Sequence, residues 1–208
     1  FLESIKNEEV EAYELVEKNK KGERKVVKYW RAGTARDCLS QKLTTPEPAL
    51  IIGSGISLDL AGPHLHKWKG ATFCSISQAT TLVHYGLDPS HIVAYDINSQ
   101  VEELNRIDTW EGRKCALITH PGVNPKMMDY WKGEKLLFRS MDSSNFFFQN
   151  VLPFAYGDAI PSQMFLFSCS LSAQLSLAKA MGYSPLFFVG CAFAATRATF
   201  SSFDKGEW

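Results

Sequence analysis

Gly53-Ser54-Gly55-Ile56-Ser57 follows the apolar run Ala49 to Ile52 and leads into Leu58-Asp59-Leu60. Two glycines let the backbone turn tightly and approach a ligand, and Ser57 has the side chain of a helix N-cap. A helix starting there presents free N–H groups and about half a positive charge, the chemistry that holds phosphate. The dinucleotide fingerprint fails twice. Its third glycine is Leu58, and the acid it wants after the next strand is replaced by Ser75-Ile76-Ser77-Gln78. NAD is therefore not expected. Asp59 would stabilise the first turn of the helix but repel a close phosphate. A plain strand-to-helix turn explains the two glycines as well as a ligand does.

Other chemistry-bearing residues follow later apolar runs. Ser77-Gln78 can cap a helix or bond a base or ribose edge without charge. Asp96, in Tyr95-Asp96-Ile97-Asn98, can bind a metal, accept a hydroxyl or take a proton. Capping by Asp96 or Asn98 is the alternative. His120 ends another run and is a candidate base. Ser168-Cys169-Ser170 opens a helix-like stretch and offers a second anion cradle, where a helix start can lower the Cys169 pKa. Arg139 could complement phosphate or lie on the surface. Residues 141–161 read as a long aromatic loop in which Phe146, Phe147 and Phe148 could line an acceptor pocket.

These residues need a frame that brings them to one edge. Short apolar runs at 49–53, 71–76, 91–96, 114–120, 135–139 and 185–190 read as strands. Their unbroken hydrophobicity suits a parallel sheet covered on both faces. Helix-like stretches intervene at 57–68, 77–86, 98–107 and 170–182, the last with Gly182 as its C-terminal cap. The expected fold is α/β, Rossmann-like and doubly wound, with a mainly parallel sheet and right-handed crossovers. In such sheets ligands sit at the carboxyl ends of the strands, where the candidates above fall. Residues 2–18 read as a helix, followed by a charged connector at 18–25 and a short strand at Lys25 to Trp30. Thr44-Thr45-Pro46-Glu47-Pro48 punctuates the chain, which divides it into an N-terminal helix and connector (1–46) and a nucleotide-binding domain (47–208).

Composition narrows the function classes. The chain has 208 residues, 45% hydrophobic and 12% aromatic, enough for a sizeable core. Twenty-two basic residues balance 22 acidic ones, so no overall field draws nucleic acid or an anionic membrane. The five cysteines form no CxxC pair and no zinc spacing, which fits reduced core thiols and a cytoplasmic setting. No run approaches the roughly 20 apolar residues of a bilayer span, and no signal peptide is visible. The chain begins at Phe1, compatible with a start inside a longer protein. A homo-oligomer is open.

The order and spacing of these pieces, over about residues 47 to 195, resemble the archaeal 6-hydroxymethylpterin diphosphokinases (MptE-like) and the related flagellin motility accessory factors. The resemblance rests on Gly53 to Asp59, on the stretch from Ser75 through the Gly86 to Pro89 step to Asp96, and on Ser168 to Gly190. It implies a Rossmann-like transferase. Gly53, Ser54, Gly55 and Ser57 would approach the phosphates of ATP or GTP, and Ser168, Cys169 and Ser170 would cap a second cradle. Asp96, with Asp59, would hold Mg²⁺, and a hydroxymethylpterin-like acceptor would take a pyrophosphoryl group. A similar arrangement in one bacterial sialyltransferase family uses an Asn-Gln pair to hold a cytidine nucleotide. Ser77-Gln78 match that pair, so a CMP-sugar glycosyltransferase is the second expectation. Two positions depart from the family pattern: Ala192 stands where an acid is usual, and Ser168-Cys169 where a glycine opens the late helix. They motivate a third expectation, a catalytically degenerate binding domain.

Overall fold

The computed structural model describes residues 12–18, 24–30, 35–96, 101–106, 110, 113–120, 123–140, 162–164 and 169–191. Its centre is a seven-stranded sheet in which every neighbouring pair is parallel. The strands are β3 (Arg36–Asp37), β4 (Ala49–Ile52), β5 (Ala71–Ser75), β6 (His91–Ala94), β7 (Ala116–Thr119), β8 (Glu134–Leu137) and β11 (Leu186–Val189). Their order is β11-β4-β5-β6-β7-β8-β3. Residues of β4, β6 and β7 are buried throughout, as the continuous apolar runs require when both faces are covered.

Alternation along the strands divides the core in two. Leu50 and Ile52 face one layer with Leu58, Leu82, Met127 and Trp131. Ala49 and Ile51 face the other with Ala173, Leu177 and Ala178. The first layer is built by α1 (Ser57–Ala61), the 3-10 turns Gly62–Lys67, α2 (Ile76–His84) and α3 (Pro125–Tyr130). The second is built by α4 (Ser170–Ala180), whose buried Ala173 and Ala178 let it lie close to the sheet. Helices on both faces make the sheet doubly wound, as expected. Gly182, at φ +93°, closes α4: its N–H donates to the Lys179 carbonyl (3.1 Å), and that of Tyr183 to Ala178 (3.0 Å).

Three features differ from the sequence reading. Residues 12–18, expected to be helical, form β1 (Ala12–Lys18), paired antiparallel with β2 (Arg24–Trp30); residues 1–11 lie outside the described residues. The ladder sets Glu14 opposite Lys28, Glu17 opposite Lys25 and Leu15 opposite Val27. Backbone pairing with this partner strand overrides a weak helical period. β3 precedes the expected boundary at 46 yet forms the edge of the main sheet beside β8. The stretch expected to be helical at 98–107 is described only at Val101–Arg106, as a 3-10 helix.

Two short strands complete the set, β9 (Arg139–Ser140) and β10 (Gln163–Met164), paired parallel. Among the described residues no helix is long and apolar enough to cross a membrane.

Candidate functional site

From β4 the chain winds outward through β5, β6, β7 and β8, then returns through α4 to β11 on the other side of β4. The winding therefore reverses between β4 and β11, and the carboxyl ends of these strands flank the switch point where ligands bind in open α/β sheets. The Gly53 to Ser57 turn sits there. Three of its polar groups are engaged with the end of β11 and the glycine after it. Gly53 N–H donates to the Val189 carbonyl (2.8 Å), Gly55 N–H to that of Gly190 (2.7 Å), and Gly190 N–H to Ser57 Oγ (2.9 Å). A Cβ on Gly53 would lie 2.2 Å from the Gly190 carbonyl oxygen, so this glycine is demanded by strand packing. Ser57 is not the N-cap: it is the first helical residue, preceded by Ile56 with no side-chain cap bond. Its hydroxyl is spent on Gly190. Ser54 is exposed. Ser57→Ala should cost about 1 kcal/mol of stability by orphaning the Gly190 N–H, read by urea unfolding.

The end of β5 is polar and differently held. Ser75 Oγ lies 3.0 Å from Ser77 Oγ, and Gln78 Nε2 donates to Ser77 Oγ (3.4 Å). Gln78 is only 1% exposed, yet its Oε1 finds no hydrogen-bond partner among the described residues. An orphaned acceptor in that environment is costly. Ser75, not Ser77, precedes α2, and its side chain makes no cap bond. Behind this turn lies Gln174 of α4, buried at 1% exposure. With its amide oriented to satisfy both ends, Nε2 donates to the carbonyls of Ile52 (3.1 Å) and Phe73 (2.8 Å), and Oε1 accepts from Ser75 N–H (3.1 Å).

Further along the same edge, β6 ends before Tyr95 and Asp96, and β7 before His120. Asp96 is exposed. His120 is buried, with Nε2 2.9 Å from the Tyr95 carbonyl. Burial lowers its pKa to about 4; the Tyr95 contact and Asp96 oppose that shift without cancelling it. The imidazole is therefore neutral at pH 7, held by a backbone carbonyl, and is a weak base. Asp59 is half-buried in α1, which follows β4, whereas Asp96 follows β6; the intervening β5 sets those strands about 10 Å apart. Among the described residues no three His, Cys, Asp or Glu side chains come together as a metal cluster.

Cys169 is the residue before α4 and is exposed; its Sγ donates to Ser172 Oγ (3.3 Å), and that side chain and the Ser172 N–H lower its pKa. Ser170 opens the helix. Arg139 Nη2 donates to Gln163 Oε1 (3.3 Å), while its buried Nε finds no partner among the described residues. Asn98, Ser168, Ala192 and the aromatic loop 141–161 lie outside the described residues.

The topology thus sets Cys191, the Gly53 turn, Ser75 to Gln78, Asp96, His120 and Arg139 after successive strands along one rim. Sequence reading missed Gln174, Gly190 and Cys191 as parts of it. Gly190 was visible as a glycine ending an apolar run. Gln174 gave no signal, because its partners are 99 to 122 positions away in the chain.

Comparison with known proteins adds three findings. A family model described as 6-hydroxymethylpterin diphosphokinase MptE-like matches residues 25–198. No curated protein matches the chain. Among solved structures, the Maf glycosyltransferase from Magnetospirillum magneticum AMB-1 is similar, with a TM-score of 0.56 and 18% identity. The match covers 79% of this chain and 26% of that one, so this chain spans about a quarter of that protein's length. At this identity the likeness speaks for the fold.

Proposed function

The chain belongs to the 6-hydroxymethylpterin diphosphokinase MptE-like family, and on that premise we propose that it is a nucleotide-dependent transferase whose site is the rim from the Gly53 turn to His120. The observation that carries the proposal is Gln78: a buried amide with an unsatisfied acceptor at the start of α2. A nucleobase amino group or a ribose hydroxyl would complete it. The exposed Ser54 and Ser77 and the start of α4 at Cys169 and Ser170 lie on the same edge of the sheet, where phosphate oxygens would be met by hydroxyls and helix N–H groups.

In its diphosphokinase form, an acceptor hydroxyl oxygen bonds to the β-phosphorus of ATP or GTP. The bond from that phosphorus to the oxygen bridging it to the α-phosphate breaks, the nucleoside monophosphate leaves, and the hydroxyl proton is released. Mg²⁺ in such sites keeps several waters and takes only one or two carboxylates beside the phosphates, so Asp96 alone suits it. When bound, the ion would neutralise charge on the transferring group. Asp59 is not needed. His120, being neutral, would orient and exclude water instead of donating a proton.

A second form, transfer of a sugar from a CMP-sugar, is favoured by the uncharged character of Ser75, Ser77 and Gln78. A thermal-shift series with ATP, GTP, CMP, CDP, UDP and NAD, with and without Mg²⁺, separates the forms. A ligand at 100 times its Kd adds about 2.7 kcal/mol and raises Tm by several degrees. A Mg²⁺-dependent rise with ATP or GTP supports diphosphoryl transfer, and a metal-free rise with CMP supports glycosyl transfer. Silence throughout favours a degenerate binding domain. Gln78→Met should abolish the rise with the effective nucleotide while stabilising the ligand-free protein by up to about 1 kcal/mol, since it removes an unsatisfied buried acceptor. A variant that loses stability and keeps its response would sink the assignment of Gln78.

A further inference from the structure

We infer that Gln174 is a positioning residue: from α4 it sets the turn at the end of β5 on which the proposed nucleotide contact depends. The inference rests on that reading for its purpose, but not for its geometry.

At the ends of β4 and β5, which pair in register up to Ile52 and Cys74, the carbonyls of Ile52 and Phe73 and the N–H of Ser75 all lie within hydrogen-bonding distance of one side chain of α4. One buried side-chain amide takes all three: both protons of Gln174 Nε2 and its Oε1 are used. The neighbouring buried residues of α4, Ala173, Leu177 and Ala178, are apolar and serve only packing. A glutamine among them is costly unless every polar atom is paired, which here it is. Ser75 is the residue before α2, and Ser77 and Gln78 follow within the first turn. Gln174 lies one helical turn beyond Ser170. The starts of α2 and α4 are therefore tied through a single amide, and neither can shift without breaking it.

The test compares Gln174→Met, which keeps volume but loses the amide, with Leu177→Ala, which weakens the same helix without touching the turn. Amide exchange is read residue by residue in the ligand-free protein, and the nucleotide found effective in the thermal-shift series is then titrated. Gln174→Met should speed exchange at Ser75 about tenfold or more beyond its effect on β7 and β8, and weaken nucleotide binding about tenfold. Leu177→Ala should lower stability more evenly and leave the affinity within about twofold. If Gln174→Met does not fold, Gln174→Asn, which shortens the amide's reach, should show a smaller rise at the same amide. Unchanged exchange at Ser75, or the same pattern in both α4 variants, overturns the inference. A wild-type protein that binds none of the nucleotides counts against the proposed function alone, and the exchange comparison still decides the role of Gln174.

Discussion

Lowering the pH from 7 to 4 is expected to remove about 6 kcal/mol of folding stability through two buried histidines, His91 and His120, about 3 kcal/mol from each. Burial lowers both pKa values from 6.5 to about 4. His91 stacks on Phe73 with ring centroids 4.3 Å apart and lies edge-on to Tyr183 at 5.8 Å. A contact with the Thr72 backbone offsets only part of its desolvation. The sign follows from proton counting. Between pH 6.5 and 4 the unfolded chain binds protons that the folded one excludes, so stability is full above 6.5, falls through that window and levels off below it. Urea unfolding at pH 7, 5.5 and 4 measures the loss. His91→Phe keeps a ring against Phe73 and removes one proton site, so its pH dependence across the window should be about half that of the wild type. An undiminished dependence would show that His91 does not cause it. Such a loss is a large part of the 5–15 kcal/mol typical of a domain.

Gly53→Ala is expected to cost at least about 3 kcal/mol, near the top of the range for overpacking a rigid site. The new methyl would meet backbone, the carbonyl carbon and oxygen of Gly190 at 2.8 and 2.2 Å, and backbone cannot rotate away as a side chain can. Gly190→Ala should cost more. Its Cβ would lie 2.2 Å from the Gly53 carbonyl oxygen, and its φ of +72° adds about 1–2 kcal/mol for any residue with a Cβ. For a domain of this size each kcal/mol lowers Tm by about 2–4 °C, so even Gly53→Ala should melt at least about 6 °C early. The two substitutions press on the same contact, so their costs should not add. Had Gly53 been kept only to let a ligand approach, Gly53→Ala would spare stability and harm binding alone. The hydrogen bonds from Gly53 to Val189 and from Gly55 to Gly190 say otherwise.

Much of the frame is legible in the sequence. Runs such as Ala49 to Ile52 and Ala116 to Thr119 are apolar at every position, and a strand covered on both faces is the element that tolerates this. The same logic placed the candidate residues at strand ends. Asn124-Pro125, a cap and a first helical residue in sequence, went unread, although Asn124 Oδ1 accepts from Lys126 N–H (3.1 Å) and α3 follows. The hairpin of β1 and β2 was read half as helix because Leu2, Ile5, Tyr13 and Val16 approximate one face, and only the partner strand settles such a segment.

What the sequence alone determined is local. It set the strand and helix alternation, the closing glycine of α4, the failure of the dinucleotide fingerprint and the list of polar residues that end apolar runs. Each follows from side-chain period, backbone freedom or residue type within a few positions. The tertiary structure decided which ends meet. It seated β11 beside β4, turned Ser57 from a cap into a partner of Gly190, left Gln78 buried with an open acceptor and gave Gln174 its three backbone partners. It also made His120 a neutral group. These outcomes depend on burial and on contacts between residues up to 137 positions apart, and no spacing within a segment encodes them, because a chain's pattern specifies what each element must bury but not which neighbour covers it.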